Sequence, residues 1–256
     1  MRSLQTITLL FVITLIKVDA IGSTNSFLRK LVRNNAINQP TCIWAKHQTE
    51  GRGQIGNAWK TESGKNLTIS VYLPISPYLT YDPIAINLLT ALSIYNVLDM
   101  LKVPQLFIKW PNDIMSANKK IGGILIENNY QNGTLSESII GIGLNVNQRK
   151  FDNLPKASSL KLITKQEFDI KLLLNKILIQ LEKSFSNFDS SDFPSLKKRF
   201  ESVLFRKGKA SSFKRKNSES IFTGIIKGIT NDGKLTILEE DNVINHYNLK
   251  EISLLY

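Results

Sequence analysis

Cysteine is all but missing from this chain of 256 residues: Cys42 stands alone. A single thiol excludes an intrachain disulfide framework and any Cys-x-x-Cys zinc or redox site. Histidine is nearly as scarce, with only His47 and His246, so a structural zinc site is short of its usual ligands. Arginine is rare beside lysine and no block of about five like charges occurs, so no polycationic tail or DNA-binding module is announced. Eight prolines and fourteen glycines are too few for a collagen-like or linker-dominated architecture. The apolar run near the start, Leu9 to Ile16, is too short to cross a bilayer core of about 30 Å. Preceded by Arg2 and ending in Asp19-Ala20, it has the outline of a secretory signal. Yet its leading segment holds one basic residue, and it flows unbroken into Lys17–Ile21, which reads as a domain's first, core strand. A start codon placed upstream of the true one gives the same pattern, and Met1 to about Leu10 is expected to be dispensable.

What is present is an ordinary globular composition, 42% apolar and 21% charged, with length for one large domain or one plus a small companion. The lone cysteine suits a reducing, cytoplasmic setting. Thirty-three basic side chains against 21 acidic ones leave a net charge of +12, which favours nucleic acid, anionic membranes, phosphorylated substrates or acidic proteins as partners. General surface charge accounts for the same excess.

Ser23-Thr24-Asn25 makes a helix start, because such side chains accept bonds from free first-turn amides, and Phe27, Leu28, Leu31 and Val32 follow at helical spacing. Thr41–Lys46 reads as a strand, and the alternation of Leu67, Ile69, Val71 and Leu73 as a half-buried one. Asp82-Pro83 opens a helix with Ile84, Leu88, Leu92, Tyr95, Leu98 and Leu101 on one face, closed by Pro104. Strands follow at Leu106–Trp110, Ile121–Glu127 and Ser138–Val146, the first two flanking a polar connection through Pro111-Asn112-Asp113. Thr164-x-x-Glu167 has capping-box spacing ahead of a long amphipathic helix ending near Phe185, and a second helix spans about 193–204. Beyond Phe205 come short strands, Phe222–Ile229, Lys234–Leu238 and Val243–Tyr247, with turn signals at Asn231-Asp232-Gly233 and Asp241-Asn242. This tail reads as a small β-barrel.

Four stretches suit chemistry. Gly51-Arg52-Gly53-Gln54-Ile55-Gly56 joins anion-binding amides to a guanidinium able to clamp a carboxylate or phosphate. It matches neither the P-loop nor a dinucleotide fingerprint, and a plain turn fits it as well. Lys109-Trp110-Pro111-Asn112-Asp113 offers groups for phosphate, metal and base, or a strand end with an Asx turn. Lys119-Lys120-Ile121-Gly122-Gly123 leads a lysine pair, each of which alone reads as solvated, into a strand without bulk. Gly141-Ile142-Gly143-Leu144-Asn145-Val146-Asn147 is a glycine strand inviting close approach, ending in asparagines able to bond a base or ribose. Cys42 reads as an inert core thiol, and His47 as an exposed or satisfied histidine.

Taken in order, Ser-Thr-Asn, Gln-x-x-Gly-Arg-Gly-x-x-Gly-x-x-Trp, Lys-Trp-Pro-Asn-Asp, Lys-x-Gly-Gly-Ile-Leu-x-Glu and Gly-x-Gly-x-Asn-x-Asn make the chain resemble the biotin protein ligase family from about Lys17 to Val146. The resemblance implies an α/β (α+β) fold: a mixed, largely antiparallel sheet with helices, class II synthetase-like, over residues 17–205, then an SH3-like β-barrel over 206–256, with 1–16 as an extension. It implies an ATP-dependent ligase that forms biotinyl-5′-adenylate and passes the biotinyl group to a lysine of a biotin carboxyl carrier domain. No enzyme nucleophile is required, in keeping with the lack of a Ser-His-Asp or Cys-His pattern.

By the same resemblance Ser23, Thr24, Asn25 and Gln48 meet the biotin head group, with Gly53, Gln54 and Gly123 also on the biotin side. Arg52 and Lys120 hold the biotin carboxylate and α-phosphate together. Gly51 to about Trp59 corresponds to the family's flexible loop. Asn112 and Asp113 fall near the phosphates and the incoming lysine, Asp113 as catalytic group and as the contact for magnesium arriving with ATP. Asn145 faces the adenine, with Trp59 and Trp110 as walls and Gly51 on the ATP side. Two departures stand out: Gly22 where many members have Asp, and Gln54 where some have a second Arg.

The short stretch before the first strand leaves no room for the winged-helix repressor domain of some members, so the expected partner is the carrier domain of a biotin-dependent carboxylase, not nucleic acid or membrane. A homodimer is left open. Two other readings stay in play: a lipoate or octanoate ligase, whose Arg-Arg-x-x-Gly-Gly-Gly pattern is missing here, and a secreted non-enzymatic binding protein resting on the N-terminal apolar run alone.

Overall fold

The computed structural model describes residues 12–54, 56–75 and 82–256; the expectation about Met1 to Leu10 lies outside them. In chain order the elements are β1 (Thr14–Ile21), α1 (Thr24–Arg33), β2 (Thr41–Gln48), β3 (Leu67–Pro74), α2 (Pro83–Met100), β4 (Leu106–Lys109), β5 (Asp113–Ser116), β6 (Lys119–Gln131) and β7 (Thr134–Leu144). Then come α3 (Leu160–Thr164), α4 (Ile170–Ser186), α5 (Phe193–Ser202), β8 (Ala210–Arg215), β9 (Ile221–Ile229), β10 (Leu235–Glu239), β11 (Ile244–Tyr247) and β12 (Ile252–Leu255). The first seven strands form one sheet, ordered β1-β2-β3-β7-β6-β5-β4, and the last five a second, ordered β11-β10-β9-β8-β12. Within the large sheet only β1 and β2 run parallel, so the expected mixed, largely antiparallel sheet is what forms.

Local chemistry sets several boundaries. Ser23 caps α1 by accepting from Ser26 N, and Asp82 caps α2 by accepting from Ile84 N with Pro83 behind it. The two turn signals fall between β9 and β10 and between β10 and β11.

Other expectations need correcting. β1 begins at Thr14 and is an exposed edge strand, not a core strand starting at Lys17. β3 is buried on both faces, because α1 packs on one side and α2 lies with the main core on the other. α2 is buried around most of its circumference rather than along one stripe: α4, α5 and β4 all pack on it. By length and composition it could cross a membrane, but most of it is inside the fold. Each fully buried Leu or Ile in it is worth about 1.5–3 kcal/mol of transfer free energy. The stretch after Pro111-Asn112 is not all connection, since Asp113–Ser116 is the strand β5. Thr164 does not cap the long helix. It ends α3, and Asp169 caps α4 through bonds from Lys171 N and Leu172 N. Glu167 instead pairs with Lys161.

The two sheets meet through the segment after α5. Ile108 N donates to Val203 O at 2.9 Å and Phe205 N to Ile108 O at 2.8 Å, tying the segment to β4. Lys207 bridges to Ile226 on β9. Phe205 then stands edge-on to both Phe107 and Tyr256, at 5.9 and 5.3 Å between ring centres.

Candidate active site

Three neighbouring strands supply a floor with little side-chain bulk. Register places Gly123 of β6 beside Gly143 of β7, and Gly141 of β7 beside Ser70 of β3. The depression is used at once. A Cβ on Gly141 would lie 2.4 Å from Asn25 Oδ1, and one on Gly143 would lie 2.4 Å from the Trp59 ring. The close approach expected at this strand is therefore made by side chains.

At one end stands the N-terminus of α1. Thr24 N and Thr24 Oγ1 both donate to Gln48 Oε1, at 2.8 and 2.9 Å. The Ser70 hydroxyl lies 2.6 Å from Thr24 Oγ1 and 2.5 Å from Asn25 Oδ1, so its single proton serves two oxygens. Asn25 Nδ2 donates to Glu127 Oε2 at 2.8 Å. Ser23, Thr24 and Asn25 are all buried, so this is a dry cluster of hydroxyl and amide groups around a small opening.

The Gly-rich stretch folds back over the floor as a hairpin whose residue Ile55 lies outside the described ones. Arg52 bridges Ala58, Gly53 N donates to Asn57 O at 2.7 Å, and Trp59 N donates to Gly51 O at 2.8 Å. A side chain at Gly51 would lie 2.3 Å from Trp59 O, which explains the glycine. The hairpin sets the Trp59 indole on Gly143 and Gly123. Its Nε1 is buried against Gly143 with no hydrogen-bond partner. The Arg52 guanidinium reaches Glu127 at 3.3 Å.

At the other end three charges meet. Asp113 opens β5, with Lys120 Nζ 2.5 Å from Oδ1 and Lys109 Nζ 3.4 Å from Oδ2. Lys120 Nζ also lies 5.5 Å over the Trp59 ring. Asn112 is pinned to β6, its Nδ2 donating to Ile124 O at 2.5 Å. Lys119 points away and donates to Pro155 O at 2.5 Å on the exposed side. Tyr256 closes this corner, with Lys109 and Lys156 Nζ 5.2 and 4.2 Å from its ring centre. Its hydroxyl pKa is raised by burial and by Asp113, against the opposing influence of Lys120.

Two connected hollows result. The smaller, about 50 Å³, is lined by Ser23, Thr24, Asn25, Gln48, Arg52, Gly53, Gln54, Trp59, Asn112, Lys120 and Gly123 among others. The larger, about 760 Å³, lies between the two sheets and shares Gly53, Gln54, Trp59, Asn112 and Lys120 with the first. It adds Trp110 and Asp113 on one wall and Phe213, Lys216, Lys250 and Ile252 on the other. Trp110 is fixed there by donating Nε1 to Gly233 O at 2.9 Å.

Asn145 is not part of either lining. Its buried side chain donates to Ser158 O at 2.9 Å and braces the chain after β7. Cys42 is a fully buried thiol whose pKa burial pushes up, as expected of an inert core group. His47 is half-buried with Nδ1 unpartnered, neither exposed nor satisfied. Asp113 is already held by two lysines, and no three of His, Cys, Asp or Glu gather among the described residues. The protein groups present thus do not fit a magnesium cage of their own. Glu127 and Ser70 had no assigned role in the sequence reading, and Lys109 only a share in that of its stretch. For Ser70 the signal was a serine between Ile69 and Val71 on an apolar strand; for Glu127 it was the last position of its motif.

Residues 18–145 match the model of the biotin/lipoate A/B protein ligase family. The bifunctional ligase/repressor BirA of Bacillus spizizenii is 30% identical over 239 residues, covering 91% of this chain and 72% of that one. The biotin–[acetyl-CoA-carboxylase] ligase of Mycobacterium tuberculosis is 25% identical over 219 residues, 84% of this chain and 80% of that one. Among solved structures, the biotin protein ligase from Aquifex aeolicus in complex with biotin and ATP superposes with a TM-score of 0.78 at 28% identity, covering 94% of this chain and 98% of that one.

Proposed function

The chain belongs to the biotin/lipoate A/B protein ligase family and is an enzyme, a biotin–protein ligase, and on that premise we propose how its residues divide the work. In the first step a biotin carboxylate oxygen attacks the α-phosphorus of ATP, the bond to the bridging oxygen breaks, and pyrophosphate leaves with biotinyl-5′-adenylate formed. In the second, a lysine amine of a biotin carboxyl carrier domain attacks the acyl carbon, AMP leaves, an amide forms and the amine gives up its proton. In this reading residues 17–205 carry the chemistry and 206–256 supply the far wall of the larger hollow.

What supports the reading is one juxtaposition: Arg52 and Lys120 line the same small hollow as Ser23, Thr24, Asn25 and Gln48. The hydroxyl and amide cluster matches the carbonyl and two N–H groups of a ureido ring. The two cations stand where a carboxylate and a phosphate must be brought together against their repulsion. Lys120 serves both steps, first by offsetting charge on the α-phosphate and then by favouring AMP as leaving group. Trp59 and Trp110 flank the nucleotide, and Asn112 holds the strand beneath it. Asp113, paired with both Lys109 and Lys120, aligns those cations and lies where the incoming amine approaches. When ATP carries magnesium, the ion supplies further neutralisation of the phosphates.

Incubating the protein with ATP, a biotin carboxyl carrier domain and either biotin or lipoate tests this directly. Mass spectrometry should find the biotinyl adduct on one carrier lysine. Lipoylation without biotinylation would overturn the assignment.

A further inference from the structure

Glu127 ends the Lys-x-Gly-Gly-Ile-Leu-x-Glu stretch and has no task in the reaction just described. Its carboxylate nevertheless gathers donors from two elements besides its own strand. Asn25 Nδ2 is 2.8 Å from Oε2, the Arg29 guanidinium of α1 rests against Oε1, and Arg52 reaches the two oxygens at 3.3 and 3.4 Å. Two guanidiniums therefore share one carboxylate, and unequally: Arg29 makes the short contact and Arg52 the long one. The looser of the two is the one the reaction needs elsewhere.

We propose that Glu127 is a positioning residue, which keeps Arg52 at the rim of the site before substrate binds and releases it to the substrate anion while Arg29 stays behind. The inference deepens the biotin and ATP reading of this site and rests on it. Its logic is one of compensation. A partly buried carboxylate stripped of its only cation would resist the release. With Arg29 in place, Glu127 remains paired, and Asn25 remains bonded, after Arg52 has gone.

The side chains of Arg52 and Arg29 are 41% and 37% exposed and that of Glu127 is 23% exposed. Ion pairs of this kind bias an equilibrium by roughly two- to five-fold. A substrate that takes Arg52 must overcome that bias, so its apparent affinity is lowered by the fraction of molecules still paired. Arg52 lines the small hollow of about 50 Å³ together with Ser23, Thr24, Asn25 and Lys120, so a move of its side chain changes the space there.

The consequence is a pair of substitutions with opposite signs. Glu127→Gln keeps an acceptor for Asn25 but removes the charge, so the KM for biotin should fall about two- to five-fold with kcat within about twofold. Arg29→Gln leaves Arg52 as the only guanidinium on Glu127, so the KM should rise by a similar factor. Arg29→Lys, which keeps the charge, should stay near wild type. A residue that only held the fold together would weaken binding in both Gln variants. The measurement is pyrophosphate release at saturating ATP with biotin titrated, alongside a melting curve for each variant. It is repeated at about 1 M salt, where a Debye length of about 3 Å should draw the KM values of wild type and Glu127→Gln together. A KM that rises in both Gln variants of an active enzyme, or a kcat falling more than about tenfold in Glu127→Gln, overturns this proposal alone. A wild-type protein releasing no pyrophosphate with biotin overturns the ligase reading as well.

Discussion

Replacing Lys120 by alanine should slow adenylate formation by about 10²–10³ while leaving the fold in place. Lys120 and Lys109 stand 2.5 and 3.4 Å from the two oxygens of Asp113, so this trio of side chains carries one net positive charge. Without Lys120 it carries none. A unit charge about 4 Å from a phosphate oxygen, at an effective dielectric near 20, is worth about 4 kcal/mol, or close to 10³ in rate. The Lys120 side chain is 34% exposed, and solvent screening brings the expectation toward 10². Stability should change little, because Asp113 keeps Lys109 as a partner and no carboxylate is left alone. Lys119→Ala is the control. Its ammonium reaches Pro155 O on the exposed side, and its loss should alter the rate less than twofold. Pyrophosphate release under single-turnover conditions, with melting curves for both variants, gives the comparison. Equal losses, or the larger loss for Lys119, would refute the assignment of the charge to Lys120.

Gly141→Ala would drive a methyl to 2.4 Å from Asn25 Oδ1, so biotin affinity should drop at least about tenfold with only a modest fall in melting temperature, read by calorimetric titration. The hydroxyls of Tyr72 and Tyr247 are pushed up to about 12, mainly by burial, with Glu137 and Glu239 adding to it. Folded pKa values above the unfolded ones mean stability is fully present below about pH 10 and is lost as pH rises toward 12. Circular dichroism against pH should show that loss, and Tyr72→Phe should make it shallower. Removing residues 2–10 should leave activity within a few-fold, since β1 and the bond from Ile13 N to Glu182 Oε1 at 2.9 Å survive the cut; loss of soluble protein would contradict this.

Where a structural choice is made by neighbours in sequence, the sequence shows it. Ser23 and Asp82 are caps because their side chains reach amides two or three residues on, and the turn at Asn231-Asp232-Gly233 needs only its own residues. Where the choice is made across the fold, local pattern misleads. Thr164 and Glu167 have the right spacing, but Asp169 satisfies two amides of α4 and wins the capping position. α2 shows a stripe in sequence, yet α4 and α5, about a hundred residues away, bury its other sides. The stretches around Gly51–Trp59, Lys120 and Gly123 could be singled out because glycines and charges there suit close approach, and the fold brings them to one hollow. The bond from Asn145 to the Ser158 carbonyl could not be read in advance, because that carbonyl lies 13 positions away in a segment with no motif. Glu127 was visible as a motif letter, but its two guanidiniums become one site only through the folding of α1 and the hairpin onto β6.

The segment between α5 and β8 is a strip of backbone shared by both sheets, bonded to β4 through Val203 and Phe205 and to β9 through Lys207. Glu201, in the last turn of α5, accepts from Ile229 N at 2.9 Å and pairs with Lys197 and Lys207. Such a splice transmits load. To unfold the small sheet is to strip hydrogen bonds from an edge of the large one, and the reverse holds as well. The two sheets should accordingly melt as one cooperative unit, giving a single calorimetric peak whose enthalpy matches the whole chain rather than two peaks of unequal size.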